Sequence, residues 1–191
     1  YGCRESFRKK SATRTLRTLT NNMKLHIGGK EKKEGWSILN IQKNDDVDYV
    51  GDISDLSQFE DNSIEEIYAS HVVEHVSQKD ISKTLKGIHR VLKDDGKFYV
   101  SVPDLDILCR IFIDPKAPQK AKFHAMRMMF GGQIDEYDFH YFGWNFEFMK
   151  DYLTTAGFKK IEKVKSFSLF KDTSDYAPYG VPISLNVIGY K

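Results

Sequence analysis

Three polar clusters in this chain have the residue types and spacing of a reactive site. The first is His71-Val-Val-Glu74-His75, which follows directly on the apolar-patterned IEEIYAS. On a helix, His71 and His75 would share one face, with Glu74 as general base, as in an inverted zinc-hydrolase motif. That chemistry needs the motif in mid-helix and a third ligand downstream. His71 comes straight off a strand-like run, so it is expected at a strand end, and no metal ligands are assigned. His75 then reads as a helix-start residue packing on a sheet. The second cluster is Pro103-Asp104, closing the apolar run KFYVSV. The third is Tyr137-Asp138-Phe139-His140-Tyr141, where aromatic rings can stack on a sugar and His140 can take a proton. His26 and His124 are expected to be structural or exposed.

The elements that must position these residues follow from periodicity. Residues 24–27, 36–42, 48–53, 64–70 and 97–102 read as strands. Residues 78–92 carry a helical apolar stripe (Ile81, Leu85, Ile88, Val91, Leu92), with Asp94-Asp95-Gly96 as its stop and Gly96 as C-cap. Residues 104–130 read as helix interrupted at Asp114-Pro115 and Pro118. A loop over 131–144 leads to a helix over 145–156 closed by Gly157. Residues 160–167 and 183–190 read as strands joined by a connection of about 15 residues, long enough to suggest a functional role. Strands alternating with helices predict an α/β fold: a Rossmann-like, doubly wound, mostly parallel sheet of about seven strands. The last two strands have no helix between them and are expected as an antiparallel C-terminal edge hairpin.

The bulk composition sets limits. The chain has 191 residues, 40% hydrophobic and 29% charged, which suits one globular domain. It has no apolar run long enough for a membrane span and no secretory pattern. Cys3 and Cys109 lack CxxC spacing, so a reducing cytoplasm is expected. The net charge of +2 is unevenly spread. Residues 1–24 hold seven Lys/Arg against Glu5, leaving a mildly acidic body that argues against a nucleic-acid partner. The expected division is a basic N-terminal segment over 1–22 and one domain over 23–191.

In a parallel sheet, ligands sit beyond the carboxyl ends of the strands. The polar residues at those ends are Gly28 and Gly29, Asn40, Asp52 with Ile53, Ser70 with His71, and Asp104. Residues 23–166 resemble class I S-adenosylmethionine-dependent methyltransferases. Among these, they look like a bacterial group of small methyltransferases linked with cell-surface polysaccharide biosynthesis. The resemblance rests on LHIGGKEKKEGWSILNI, DYVGDISDLSQFEDNSIEEIYASHVVEHV, HRVLKDDGKFYVSVPDLDIL and GGQIDEYDFHYFGW. It implies S-adenosylmethionine as cofactor and a small-molecule or glycan acceptor. It also implies that Gly28 and Gly29 pass under the methionine part, that Asn40 meets the ribose, and that Asp52 with Ile53 frames the adenine. Ser70 and His71 would lie beside the sulfonium. An acceptor that needs a base would find it among His71, Asp104 and His140.

The chain departs from that family pattern twice. The usual GxGxG turn is cut to Gly28-Gly29-Lys30, and only residues 29–35 separate it from the next strand, too few for a crossover helix. Asn40 also stands where a ribose-binding acid is expected, so a charge-assisted bond is lost. A degenerate methyltransferase-fold protein that binds a ligand or partner without catalysis therefore stays open as the alternative. A nicotinamide-dependent dehydrogenase would need a glycine-rich turn opening a helix, which residues 28–35 do not provide.

Overall fold

Runs of buried residues along the central strands show that both faces of the sheet are covered. The computed structural model describes residues 23–191, so the basic segment 1–22 lies outside the described residues. Seven strands form one sheet: β1 (Met23–Ile27), β2 (Trp36–Asn40), β3 (Tyr49–Val50), β4 (Ile64–Ser70), β5 (Leu92–Pro103), β6 (Lys160–Val164) and β7 (Ser184–Tyr190). Their order is β3-β2-β1-β4-β5-β7-β6. The first five are parallel, and β7 runs antiparallel to both β5 and β6. The predicted edge hairpin is present, with its second strand inserted against β5.

One face is packed by helices. Leu25, Ile67, Phe98, Val100 and Val187 meet the stripe Ile81, Leu85 and Ile88 of α1 (Ile81–Val91) and Met149 and Leu153 of α4 (Phe146–Ala156). Trp144 is fully buried there, its ring 4.1 Å from that of Phe142 and edge-on to Tyr152. Asn145 caps α4 by accepting from Phe148 N, and Gly157 ends it.

The other face carries His26, Ile38 and Tyr68. Around β1 and β4 it is covered by the irregular connection between β6 and β7. Phe170 and Phe167 lie 4.6 and 5.7 Å from the Tyr68 ring, and the Tyr68 hydroxyl donates to Asp172 at 2.8 Å. Asn186 of β7 donates to the carbonyls of Lys165 and Ser174, both at 3.0 Å, tying the connection to the sheet. The expected long connection is therefore a structural layer in its own right.

Several boundaries differ from expectation for local reasons. β2 stops at Asn40 and β3 shrinks to two residues, because the chain leaves the sheet on either side of the short β2–β3 pairing. Gly96 is not a helix cap. Helix α1 ends at Val91, the chain passes directly into β5, and Asp95 takes the left-handed conformation with φ 64°. At Gly96 a Cβ would lie 2.7 Å from the Lys93 carbonyl and 3.2 Å from that of Glu65, so close backbone approach is what demands glycine. The 104–130 segment breaks as predicted, into α2 (Leu105–Ile113) and α3 (Gln119–Phe130). Among the described residues, no helix is long and apolar enough to cross a membrane.

Trp144 anchors the helical face, and its indole N–H has no hydrogen-bond partner. Trp144→Ala should lower unfolding free energy by about 3–5 kcal/mol in urea titrations. Trp144→Phe should cost far less, because it also removes an unsatisfied buried donor. A loss below about 1 kcal/mol for the alanine variant would contradict this packing role.

Candidate functional site

The path from β1 to β2 shapes the site. Parallel neighbours normally need a crossover of about a dozen residues, but here residues 28–35 make the return without a helix. Gly28 N donates to Leu39 O at 2.8 Å, extending the β1–β2 ladder by one residue. Gly28 then turns the chain out at φ +77°, where a Cβ would also lie 2.5 Å from Val72 Cγ2. Asn40 Nδ2 donates to Gly29 O at 2.9 Å, while Asn40 Oδ1 accepts from Gln42 N at 2.9 Å. Further along the link, Lys33 donates to Leu169 O and lies 4.6 Å above the Phe170 ring. The glycine turn is thus braced by an amide from β2 and by the β6–β7 connection, in place of a helix.

Beyond these strand ends lies a cavity of about 1100 Å³. It is lined by Gly28, Gly29, Asn40, Asp52, Ile53, Ser70 and His71 from the strand ends. Residues 170–173 of the connection, His124, Arg127 and Met128 of α3, and the 131–144 loop complete it. Pockets for drug-sized ligands usually span about 300–1,000 Å³, so there is room for a nucleoside-sized cofactor and a second small molecule.

The structure brings most of the sequence-predicted residues to this cavity. Asp52 Oδ1 accepts from Ser54 N at 2.7 Å, which leaves the rest of an exposed carboxylate toward the cavity, beside the mostly buried apolar Ile53. Ser70 Oγ lies 3.4 Å from Thr173 Oγ1. His140 lines the cavity, with Nδ1 2.9 Å from the Met128 carbonyl. Asp104 is not brought in. It is buried at the N-terminus of α2, where Oδ1 accepts from Asp106 N and Ile107 N and Oδ2 contacts Lys163 Nζ at 3.3 Å. Its carboxylate is a helix cap with a salt bridge, which explains why it closes β5 without facing the ligand space.

His71 sits where expected, directly after β4, so the mid-helix zinc motif does not form. It adopts φ 53°, a corner that His tolerates better than most residues. Its N–H donates to Ser101 O at 2.8 Å, and Nε2 lies 3.0 Å from Ser184 Oγ. Ser184 Oγ itself donates to Thr173 O, so His71 Nε2–H is the donor of that pair. His71 Nδ1 lies 3.3 Å from Glu74 Oε1, but the two are not aligned as a hydrogen bond, and both Glu74 oxygens are buried without a hydrogen-bond partner. Burial pushes the Glu74 carboxyl up to about 8 and, with repulsion from His140 and His75, His71 down to about 4. A neutral carboxyl beside a neutral imidazole is not an ion pair. Burial also lowers His75 and His140, the latter helped by His75.

Sequence reasoning missed three parts of this site. Glu74 and His75 come off a single turn of 3-10 helix at Val73–His75, directly beneath the loop that carries His140. The His75 and His140 rings meet edge-on, 4.7 Å between centroids. The segment 170–173 forms one wall, and the length of its connection was the signal for it. His26, expected to be structural or exposed, is buried. It packs 5.1 Å from Tyr68 and 4.2 Å from Phe170 and also lines the cavity floor.

Comparison with known proteins gives a consistent picture. Residues 26–100 match the family model described as a methyltransferase domain. No curated protein sequence matches the chain significantly. Many solved structures share the fold. One is a chain from the complex between the Haloferax volcanii Trm112 methyltransferase activator and a methyltransferase (17% identity, 89% of this chain and 82% of that one, TM-score 0.56). Another is a SAM-dependent methyltransferase from Archaeoglobus fulgidus (16%, 89% and 86%, TM-score 0.53). A third is the Burkholderia thailandensis 1,6-didemethyltoxoflavin-N1-methyltransferase, determined with S-adenosylhomocysteine (14%, 88% and 70%, TM-score 0.56). At these identities the likeness is one of fold.

Two outcomes test this geometry. Asn40→Asp replaces the donor to Gly29 O with a second acceptor, so it should cost about 1–3 kcal/mol of stability and weaken ligand binding in the cavity. Tighter binding of a ribose-containing ligand by that variant would show that Asn40 meets the ligand rather than bracing the turn. The second concerns His26, which burial lowers to about 4 despite the opposing pull of Asp172. The unfolded chain takes up a proton there near pH 6.5 and the folded chain only near 4. Stability from this group is therefore full above 6.5 and falls as the pH drops through that window, by up to about 1.4 kcal/mol per pH unit. His26→Phe should gain on the wild type in denaturant titrations between pH 7 and 4, and parallel profiles would contradict the burial of a neutral imidazole.

Proposed function

We propose that the chain is a class I S-adenosylmethionine-dependent methyltransferase, in keeping with the match of residues 26–100 to a methyltransferase-domain model, and that it methylates a small polar molecule or a glycan held in the same cavity as the cofactor. The observation that carries this reading is the cavity itself: the glycine turn, Asp52 and Ile53 at one end, and the histidines and aromatic loop at the other. The groups at the first end fit a nucleoside cofactor, with a carboxylate for polar nucleoside groups, an apolar surface for the base, and a glycine turn that allows close approach. S-adenosylmethionine supplies an electrophilic methyl group on a sulfonium.

The chain's residues bind, orient and exclude water. In this reading Gly28 and Gly29 let the backbone approach the methionine part, and Asp52 with Ile53 frames the adenine. Ser70 and His71 bound the middle of the cavity, and the hydrogen bond from His71 to Ser184 holds that wall in place. Asn40 reaches the ribose only with the hydrogen-bonding capacity that the turn leaves over. The acceptor belongs at the far end, where His75 and His140 meet and where Tyr137 and Tyr141 offer rings for stacking on a sugar. Holding two reactants in line is itself a large part of catalysis for such a displacement. A glycan acceptor is supported by these aromatics and by the resemblance to the polysaccharide-linked group.

Calorimetric titration with S-adenosylhomocysteine tests the reading. The wild type should bind it. Gly28→Ala should weaken binding at least tenfold, because a Cβ there meets Val72 in a left-handed turn. Asp52→Ala should weaken it about tenfold through the lost charge-assisted bonds. No binding at millimolar ligand would leave the non-catalytic alternative instead.

A further inference from the structure

At the histidine end of the cavity, three side chains able to ligate a cation converge. One donor atom from each of Glu74, His75 and His140 lies within 4.8 Å of the other two. Glu74 is fully buried, and neither carboxyl oxygen has a hydrogen-bond partner. His75 Nδ1 is 3.0 Å from the Phe139 carbonyl, and His140 Nδ1 is 2.9 Å from the Met128 carbonyl. A carbonyl only accepts, so both Nδ1 atoms carry the proton and both Nε2 atoms carry a lone pair. A backbone carbonyl behind each imidazole is the arrangement that fixes tautomer and ring orientation in metal-binding histidines. A buried carboxyl with no donor is costly to keep, and a cation between the three would satisfy it.

We propose that Glu74, His75 and His140 form a binding site for a divalent first-row transition cation on the wall of the cavity. Two imidazoles and one carboxylate suit such ions better than Ca²⁺ or Mg²⁺, which favour oxygen ligands. Metal–ligand bonds of about 2.1 Å require the three donors to draw closer, which side-chain rotation in the 131–144 loop and the Val73–His75 turn supplies. His75 and His140 line the cavity while Glu74 lies behind them, so the remaining coordination positions open toward the acceptor end. Resting on the methyl-transfer reading, the group that takes such a position is an oxygen of the acceptor, whose hydroxyl then loses its proton to water more readily. This set differs from the helical His-x-x-Glu-His reading of the sequence. His71 is not one of the three converging side chains.

The test uses the full chain, stripped with a chelator and titrated with Co²⁺ by absorption and by calorimetry. The expected result is one Co²⁺ per chain at micromolar affinity with ligand-field bands. Binding should be at least tenfold weaker in Glu74→Gln and in His140→Gln and unchanged in His89→Gln, each shown to be folded by circular dichroism. A folded wild type that takes no Co²⁺ at millimolar concentration overturns the site, as does binding that Glu74→Gln and His140→Gln leave intact. S-adenosylhomocysteine titration of the same samples separates the two readings. Nucleoside binding without Co²⁺ binding overturns the cation site alone, and Co²⁺ binding without nucleoside binding overturns the methyl-transfer reading while keeping the site.

Discussion

The return from β1 to β2 in eight residues is the constraint on which the cavity depends. A crossover helix would normally cover this part of the sheet and present its N-terminus to the ligand. Without it, the glycine turn needs another support, and the Asn40 amide provides one by donating to Gly29 O. An acid at that position could not donate. Asn at residue 40 and the shortened turn therefore belong together: the side chain that closes β2 braces the backbone bordering the cavity.

The same economy exposes the second face of the sheet, and the β6–β7 connection fills it. Tyr68, His26 and Phe170 pack together there, Lys33 of the short link reaches Leu169 and Phe170, and Asp172 receives the Tyr68 hydroxyl. Residues 170–173 then become a wall of the cavity. Burial of His26 in this layer, with the energetic cost of protonating it, couples the integrity of the floor to pH. His71 joins the layers: its backbone bonds to β5 and its ring to Ser184 at the start of β7. Fold and site are stabilised by the same contacts.

Much of this was legible in the sequence because local patterns and tertiary demands agree. IEEIYAS is a strand from Ile64 to Ser70, and the Asp114-Pro115 and Pro118 breaks separate two helices. Asn145 and Gly157 bound α4. The failures came where a side chain's partner is distant in sequence. Asp94-Asp95-Gly96 looks like a helix stop, yet Gly96 is required by the carbonyls of Lys93 and Glu65 inside a strand. Asp104 lies at a strand end as predicted, but the α2 N-terminus and Lys163, 59 residues away, take its carboxylate. His71 and His75 are close in sequence, yet their partners lie far apart along the chain. In the fold His71 turns to Ser184, while His75 pairs with His140 across the loop.

The central claim is that the space bounded by Gly28, Asp52 and His71 holds the methyl donor. A crystal structure of the chain grown with S-adenosylhomocysteine tests it most directly. The account predicts the nucleoside at the Asp52–Ile53 end, the thioether sulfur beside Ser70 and His71, and the Asn40–Gly29 bond intact. Ligand seated elsewhere, or an Asn40 amide released from Gly29 to hold the ribose, would contradict it.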